Sequence, residues 1–322
     1  MRLFRNIKKN VTESRTATYM VRKSKSTLIP GFGGVPLFDV IKFFFQQVKT
    51  VGMTERASSI AFNFVMAIPP MIIFFFTLIP LMPISNQFEQ ELYNLIRSVV
   101  PGEKDHAVLI HFLEDFINNP RNDLLSAGFV LSIFFSSNAV MGVMRSFDKN
   151  YIGFKKRTDL QKRITAIKIT FVLIFFVMLA VLLLIAQGSI LTWLGIKNEF
   201  IRGGIENLRW LFIVMLLFAC ISYIYRHAPA VHKKWKMMSP GSFLATLLML
   251  LFSVAFSWWV SRFGNFNELY GSIGTIMIIM ALIFFNSLVL LIGFELNVSI
   301  NSLKKIADER KEKQTGGNAE PV

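Results

Sequence analysis

The stretch ASSIAFNFVMAIPPMIIFFFTLIPLM, residues Ala57 to Met82, contains no charged side chain. A helix needs roughly 20 apolar residues to cross the hydrocarbon core of a bilayer, and this stretch is long enough. Backbone amides inside lipid must be satisfied within their own segment, so a spanning stretch of this kind is predicted to be helical. Five more uncharged stretches follow along the chain: Leu124–Met144, Ile169–Ile196, Trp210–Tyr225, Met237–Ser261 and Leu269–Phe294.

These stretches predict an all-α fold, a polytopic bundle of six transmembrane helices. The fourth stretch reaches the required length when its flanking residues lie in the headgroup region. The membrane domain is predicted to cover residues 36–298, between a basic tail at 1–35 and a charged tail at 299–322. The predicted spans are about 57–82, 124–144, 169–196, 207–228, 238–261 and 270–294.

Two further segments are predicted to be helical without crossing the membrane. From Leu37 onward, apolar residues recur at helical spacing opposite polar ones, which predicts an amphipathic helix lying in the interface before the first span. Ordinary packing of this helix against the bundle is the alternative, and both can hold together. The loop 83–123 is predicted to form two amphipathic helices outside the membrane.

The positive charges predict the orientation of the bundle. The segments on one side of the predicted spans hold 28 of the 35 Lys and Arg residues, whereas the acidic residues divide evenly. Short loops rich in Lys and Arg stay in the cytoplasm, so both termini are predicted to be cytoplasmic. The net charge of +15 is then expected to bind anionic headgroups of the inner leaflet rather than nucleic acid.

Asparagines within three of the spans suggest a polar layer in the predicted cytoplasmic half of the membrane. They are Asn63, Asn138 and Asn286, each roughly 10–14 Å from the inner boundary of its span. Pro69 and Pro70 follow Asn63 and are expected to free backbone carbonyls and bend the first span. Two interpretations remain open: the amides bond neighbouring helices together, or they line a water-accessible cavity.

Charged residues at the predicted cytoplasmic ends of the spans are candidates for a gate. The candidates are Arg145, His227 and Glu295, with an ion pair between Arg145 and Glu295 as the specific hypothesis. Ordinary boundary charge is the alternative for each of them. His106 and His111 stand among acidic residues in the outside loop, but their spacing does not favour a shared metal, and no metal or cofactor is expected.

Several tracts in this chain resemble the YihY/virulence factor BrkB family. The tracts are RASSIAFNFVMAIPP (Arg56–Pro70), YRHAP (Tyr225–Pro229), SPGSF (Ser239–Phe243), NELYGSIG (Asn267–Gly274) and LIGFELN (Leu291–Asn297). The resemblance implies a six-helix protein of the bacterial inner membrane with both ends in the cytoplasm. The family has also carried a ribonuclease BN label. The sequence gives this label no support, because it contains neither a cluster of metal ligands nor a nucleotide-binding loop.

Three classes of function remain compatible with the sequence. The first is a transporter or flippase-like protein that handles a lipid or other amphiphile from the cytoplasmic leaflet. The second is an envelope-assembly or scaffold protein that acts through the outside loop and transports nothing. The third, an intramembrane enzyme, is the least favoured, because no catalytic residue can be assigned in the sequence. The chain is therefore predicted not to be an enzyme.

Overall fold

Seven helices make up the described part of the chain in a computed structural model, and this part contains no β-strand. The structure describes residues 34–50, 52–78, 122–148, 157–193, 199–231, 234–263 and 272–316, together with Phe154 and scattered positions between 90 and 115. The helices are α1 (Leu37–Thr50), α2 (Met53–Leu78), α3 (Asn122–Phe147), α4 (Asp159–Trp193), α5 (Glu199–His227), α6 (Pro240–Phe263) and α7 (Ser272–Gly316).

The helices begin where the sequence supplies capping groups. At the start of α4, the Thr158 amide donates to Gln161 Oε1 and the Gln161 amide donates to Thr158 Oγ1, which forms a capping box. At the start of α6, Ser239 and Ser242 make the same reciprocal pair before and after Pro240. Gly52 takes a positive φ of 59° in the turn between α1 and α2.

The six long helices form a closed ring. Each helix from α2 to α7 contacts the next one in the chain, and α7 returns to contact α2. Helix α3 also contacts α7 across the ring, and α1 packs on the outside against α7. The other connections are short and place consecutive helices side by side, whereas α2 and α3 pack together although 43 residues separate them.

Five helices, α3 to α7, contain segments that are long and apolar enough to cross a membrane. Large apolar side chains such as Phe62, Val130 and Phe175 are exposed on the helices, as expected for surfaces that face lipid. Helix α2 covers the first predicted span from Met53 to Leu78, and residues 79–82 of that span lie outside the described residues. The membrane-embedded helical fold is thus confirmed, and the count of six spans stays a prediction.

The structure shows some of the segments predicted outside the spans as helices and does not describe the others. The amphipathic helix predicted from Leu37 is α1, which buries Val40 against Ile300 of α7 and leaves Ile41 and Phe45 exposed. Helix α7 continues to Gly316, so most of the predicted charged tail is a continuation of the last helix. The tail before residue 34, and the outside loop 83–123 except for scattered positions and Asn122–Asp123 at the start of α3, lie outside the described residues.

The tightly packed core lies at one end of the ring. It contains the first turns of α2, the last turns of α3 and α5, and residues 289–298 of α7. The connections at residues 148–158 and 228–239 lie at this same end, joined by an isolated antiparallel bridge between Phe154 and Val231. We call this the basic end, because it carries the connections rich in Lys and Arg. It is the end predicted to face the cytoplasm.

Candidate functional site at the basic end

A buried ion pair joins α2 to α7 at the basic end. Arg56 Nη1 lies 2.7 Å from Glu295 Oε1, and the side chains are 11% and 0% exposed. Arg56 Nη2 donates to the carbonyl oxygen of Ser146 on α3, so one guanidinium connects three helices. A carboxylate that is fully buried needs such a partner, because an isolated charge in the interior would be strongly destabilising.

Four aromatic side chains close the centre of the ring beside this pair. We call them the aromatic plug: Phe147 of α3, Tyr225 of α5, Phe294 of α7 and Trp235 of the α5–α6 connection. Phe147 and Phe294 stack with ring centroids 3.9 Å apart, and Tyr225 and Trp235 pack at their edges. Helices α3, α5 and α7 are not consecutive in the ring, so the plug spans its interior.

Hydrogen bonds and close backbone contact hold the plug against α6 and α7. The buried hydroxyl of Tyr225 donates to the carbonyl oxygen of Leu290 at 2.6 Å. Gly241 and Gly293 bring α6 and α7 so close that a Cβ on either glycine would collide with the carbonyl oxygen of the other. Asn297 accepts from the Gly241 amide and donates to Ser239 Oγ, each at 2.9 Å. The start of α6 is therefore fixed to α7.

The three asparagines of the predicted polar layer have different environments. Asn138 accepts a 2.6 Å hydrogen bond from Arg163 of α4, so it bonds across two helices. Asn63 and Asn286 instead donate to carbonyl oxygens one turn earlier in their own helices. Asn63 also packs beside Gly142 of α3. The structure thus brings only Asn138 into a bond between helices, and the layer's function stays a prediction.

Pro69 and Pro70 lie inside α2, which is helical from Met53 to Leu78. Neither proline has an amide hydrogen, so the carbonyls of Val65 and Met66 have no intrahelical donor at these positions. Pro69 is exposed and Pro70 is half-buried.

The predicted gate residues do not form the pair that the sequence suggested. The ion pair of Glu295 is with Arg56, whereas Arg145 is exposed on α3. The hypothesis of an Arg145–Glu295 pair is therefore corrected, because Arg145 lies on an exposed face of α3 while Arg56 of α2 reaches the buried carboxylate. His227 donates from Nδ1 to the Tyr223 carbonyl at 3.1 Å and stacks on the Tyr223 ring.

Arg157 is a structural residue at this end that the sequence reading missed. Its guanidinium donates to the carbonyl oxygens of His227, Ala228 and Pro229, which end α5. A cation at a helix C-terminus also interacts favourably with the helix dipole. Burial lowers the pKa of Arg157, and nearby Asp148 opposes this shift. Only the run of basic residues before Thr158 could have drawn attention to this position.

Besides Arg56 Nε, Asp148 Oδ1 and Arg226 Nε at the basic end, three polar atoms farther along the helices are buried without a hydrogen-bond partner among the described residues. They are Ser136 Oγ on α3, Ser222 Oγ on α5 and Asn286 Oδ1 on α7. Ser136 lies about three helical turns before Phe147 and shares its face, and Ser222 lies about 60° from Tyr225. Two of the three therefore lie on or near the faces of α3 and α5 that carry the aromatic plug, farther from the basic end.

The described residues hold no group of three or more His, Cys, Asp and Glu side chains that could bind a metal ion. The basic end offers a buried ion pair and aromatic packing, and the unpartnered hydroxyl and amide groups lie farther along the helices.

Comparison with known proteins gives a consistent assignment. The family model described as virulence factor BrkB matches residues 44–317. YfkH of Bacillus subtilis (strain 168), whose name describes it as ribonuclease-like, is 26% identical over 79% of this chain and 92% of its own length. The UPF0761 membrane protein NTHI0384 of Haemophilus influenzae (strain 86-028NP) is 21% identical over 81% of this chain and 94% of its own.

A third relative, the UPF0761 membrane protein of Vibrio campbellii (strain ATCC BAA-1116), is 22% identical over 91% of this chain and 89% of its own. No solved structure matches this chain. Because the family model covers most of the sequence, from α1 to the end of α7, the chain belongs to the virulence factor BrkB family.

Proposed function

We propose that this protein is a transporter- or flippase-like protein of the bacterial inner membrane, which takes up a lipid or other amphiphile from the cytoplasmic leaflet. In this proposal both termini and the basic end face the cytoplasm. The observation that carries it is the buried pair of Arg56 and Glu295 beside the aromatic plug. A hydrophobic pair would hold two helices together at least as well, so a buried ion pair is better suited to a contact that opens and closes.

The arrangement of the plug supports this proposal. Its members come from helices that face each other across the ring and from the α5–α6 connection, so a small rotation of one helix would separate them. The Arg56–Glu295 pair joins α2, the first helix of the ring, to α7, the last. Separation of these two helices opens the ring without any change in the connections between consecutive helices.

The unpartnered hydroxyls also support it. A buried polar group that makes no hydrogen bond costs about 1–3 kcal/mol. Ser136 and Ser222 each leave a hydroxyl without a protein partner within the described residues. Water or the polar part of an amphiphile inside the ring would supply the missing hydrogen bonds, which a dry, purely structural bundle would not.

The test is lipid translocation in reconstituted vesicles. Purified protein is incorporated into vesicles that contain phosphatidylglycerol with a fluorescent headgroup label, and a quencher added outside reports how fast the label crosses. We expect faster crossing than in empty vesicles, with the rate lowered about tenfold or more in Glu295→Gln. The matched control is Glu309→Gln, which removes a carboxylate from the exposed pair with Lys305 on the same helix.

The charge-reversed double variant, Arg56→Glu with Glu295→Arg, is expected to restore part of the rate that either single reversal loses. Equal crossing in protein-containing and empty vesicles, with folded protein, would contradict the proposal. That outcome would favour the alternative, a non-transporting envelope-assembly or scaffold protein.

A further inference from the structure

Arg163 occupies an unusual position for a charged residue. It lies in the second turn of α4, within the apolar segment Asp159–Val181 that is long enough to span a membrane. Its side chain crosses to α3, where Nη1 donates to Asn138 Oδ1 at 2.6 Å and lies 3.3 Å from Met141 Sδ. The guanidinium carbon lies 4.5 Å from the centre of the Phe134 ring. Arg163 is therefore fixed in the groove between α3 and α4.

This groove opens toward lipid rather than toward the interior of the ring. The Phe134 ring that supports the guanidinium is 49% exposed, as expected for a side chain on the outer surface of a membrane bundle. A half-buried cation is costly unless an opposite charge or several hydrogen bonds compensate it. The contacts with an amide oxygen, a thioether and an aromatic face supply no negative charge.

The described residues provide no carboxylate for Arg163. The nearby acidic groups Asp148 and Asp159 both pair with Lys162, each at 3.7 Å. Within the same described residues, Nε and Nη2 of Arg163 make no hydrogen bond to protein. The edge of the planar guanidinium formed by Nε and Nη2 is thus still able to donate.

A second cation lies on the same side of α3. Asn138 and Arg145 are seven residues apart, about two helical turns, so they share one face with Phe134 and Met141. Arg145 is exposed near the basic end of α3. A ligand bound to Arg163 would therefore meet one cation inside the groove and another at its mouth.

We infer that the groove between α3 and α4 binds the phosphate of an anionic membrane lipid, with Arg163 as the principal ligand and Arg145 at the entrance. A guanidinium binds a phosphate through two parallel hydrogen bonds, which matches the donors that Arg163 leaves unused. The acyl chains would lie along the exposed apolar surface near Phe134. The site faces lipid outside the ring, so it does not depend on whether the protein transports anything.

Native mass spectrometry of the full chain tests this inference. Protein released from detergent with added phosphatidylglycerol is compared with Arg163→Gln and with the matched control Lys168→Gln, which removes an exposed cation from the same helix. We expect Arg163→Gln to weaken phosphatidylglycerol binding about tenfold. Lys168→Gln should bind as the wild type does. Equal binding by the wild type and Arg163→Gln would overturn the inference.

A second variant keeps the test decisive if Arg163→Gln does not fold. Asn138→Asp places a carboxylate 2.6 Å from the guanidinium, where Asn138 Oδ1 lies now. This internal counter-charge should exclude the lipid phosphate while strengthening the contact between α3 and α4. We expect lower phosphatidylglycerol binding together with unchanged or higher thermal stability. Undiminished phosphatidylglycerol binding by Asn138→Asp would contradict the proposed lipid site.

Inorganic phosphate distinguishes the two sources of this ligand chemistry. Millimolar phosphate should not displace phosphatidylglycerol from the wild type, because it lacks acyl chains to bind the exposed apolar surface. Displacement by phosphate alone would show that the groove takes a soluble phosphate, and would overturn the lipid assignment.

Discussion

Arg56 and Glu295 form a 2.7 Å ion pair although 239 positions separate them in the sequence. The pair closes the ring of helices by joining its first member to its last. Removal of one partner would break this buried pair, at a cost of about 3–5 kcal/mol. We therefore expect Arg56→Ala and Glu295→Ala each to lower the free energy of unfolding by about that amount, measured by denaturant titration in detergent.

The apolar double variant Arg56→Met with Glu295→Leu separates stability from function at this pair. Replacement of a buried ion pair by apolar residues of similar size is often neutral or stabilising. We therefore expect the free energy of unfolding of this variant to lie within about 1 kcal/mol of the wild-type value. If the pair acts as a gate, this variant should fold normally and still lose lipid translocation. If the double variant is as unstable as Arg56→Ala or Glu295→Ala alone, the ion pair itself stabilises the fold.

Gly293 is expected to tolerate no larger residue. A Cβ there would collide with the Tyr225 hydroxyl and with the backbone oxygen of Gly241, neither of which can move freely. Gly293→Ala should lower the free energy of unfolding by about 1–3 kcal/mol. The control is Gly142→Ala, where the new Cβ would meet only the Asn63 side chain at 3.1 Å. Both changes gain the same helix propensity, so the difference between them reports the collision. Equal stability of the two variants would contradict the close contact of α6 and α7.

The helices can be predicted from the sequence because the residue pattern that specifies each helix is local. Long uncharged runs and the amphipathic pattern from Leu37 correspond to α1–α7, and the residues that begin α4 and α6 are ordinary capping residues. The sequence does not specify where a long apolar helix ends once it leaves the bilayer. Helix α7 continues to Gly316 because residues after Asn297 still pack, with Ile300 and Leu303 against α1.

The partners within the candidate site were less predictable, because they depend on which faces of distant helices meet. The sequence marks Glu295 as a charge near a predicted span boundary, but the pattern of α7 alone cannot tell whether its partner lies on α2 or on α3. The contacts of Arg56 with Glu295 and of Arg163 with Asn138 cannot be predicted from the sequence for the same reason. The plug residues Phe147 and Phe294 were hidden among the 33 phenylalanines of the chain, most of which carry no positional signal.

We expect Asp148 to make the stability of the basic end depend on pH. Burial raises the pKa of this carboxyl above its usual 3.8, and Lys162 and Arg157 only partly oppose the shift. A raised pKa in the folded state means that folding favours the protonated form. The stabilising contribution is therefore complete below the unfolded pKa and is lost as the pH rises through the folded value.

We accordingly expect Asp148→Asn to be at least as stable as the wild type at neutral pH. This advantage should disappear as the pH is lowered toward 4. Denaturant titrations at several pH values measure the difference, and Asp159→Asn, which removes the exposed carboxylate on the other side of Lys162, is the control. A wild type that is more stable than Asp148→Asn at neutral pH would show that the attraction to Lys162 outweighs burial.

A reporter fused at the C-terminus tests the predicted orientation of the bundle. The segments that include the basic end hold 28 of the 35 Lys and Arg residues, and such segments are retained in the cytoplasm. A reporter that fluoresces only in the cytoplasm, fused after Val322, should therefore be active, and one that requires the periplasm should be inactive. The matched control inserts each reporter in the loop 83–123, where the opposite result is expected. Activity of the periplasmic reporter fused after Val322 would show that the bundle has the opposite orientation. The basic end would then face away from the cytoplasmic leaflet, and the proposed entry of an amphiphile from that leaflet would fail with it.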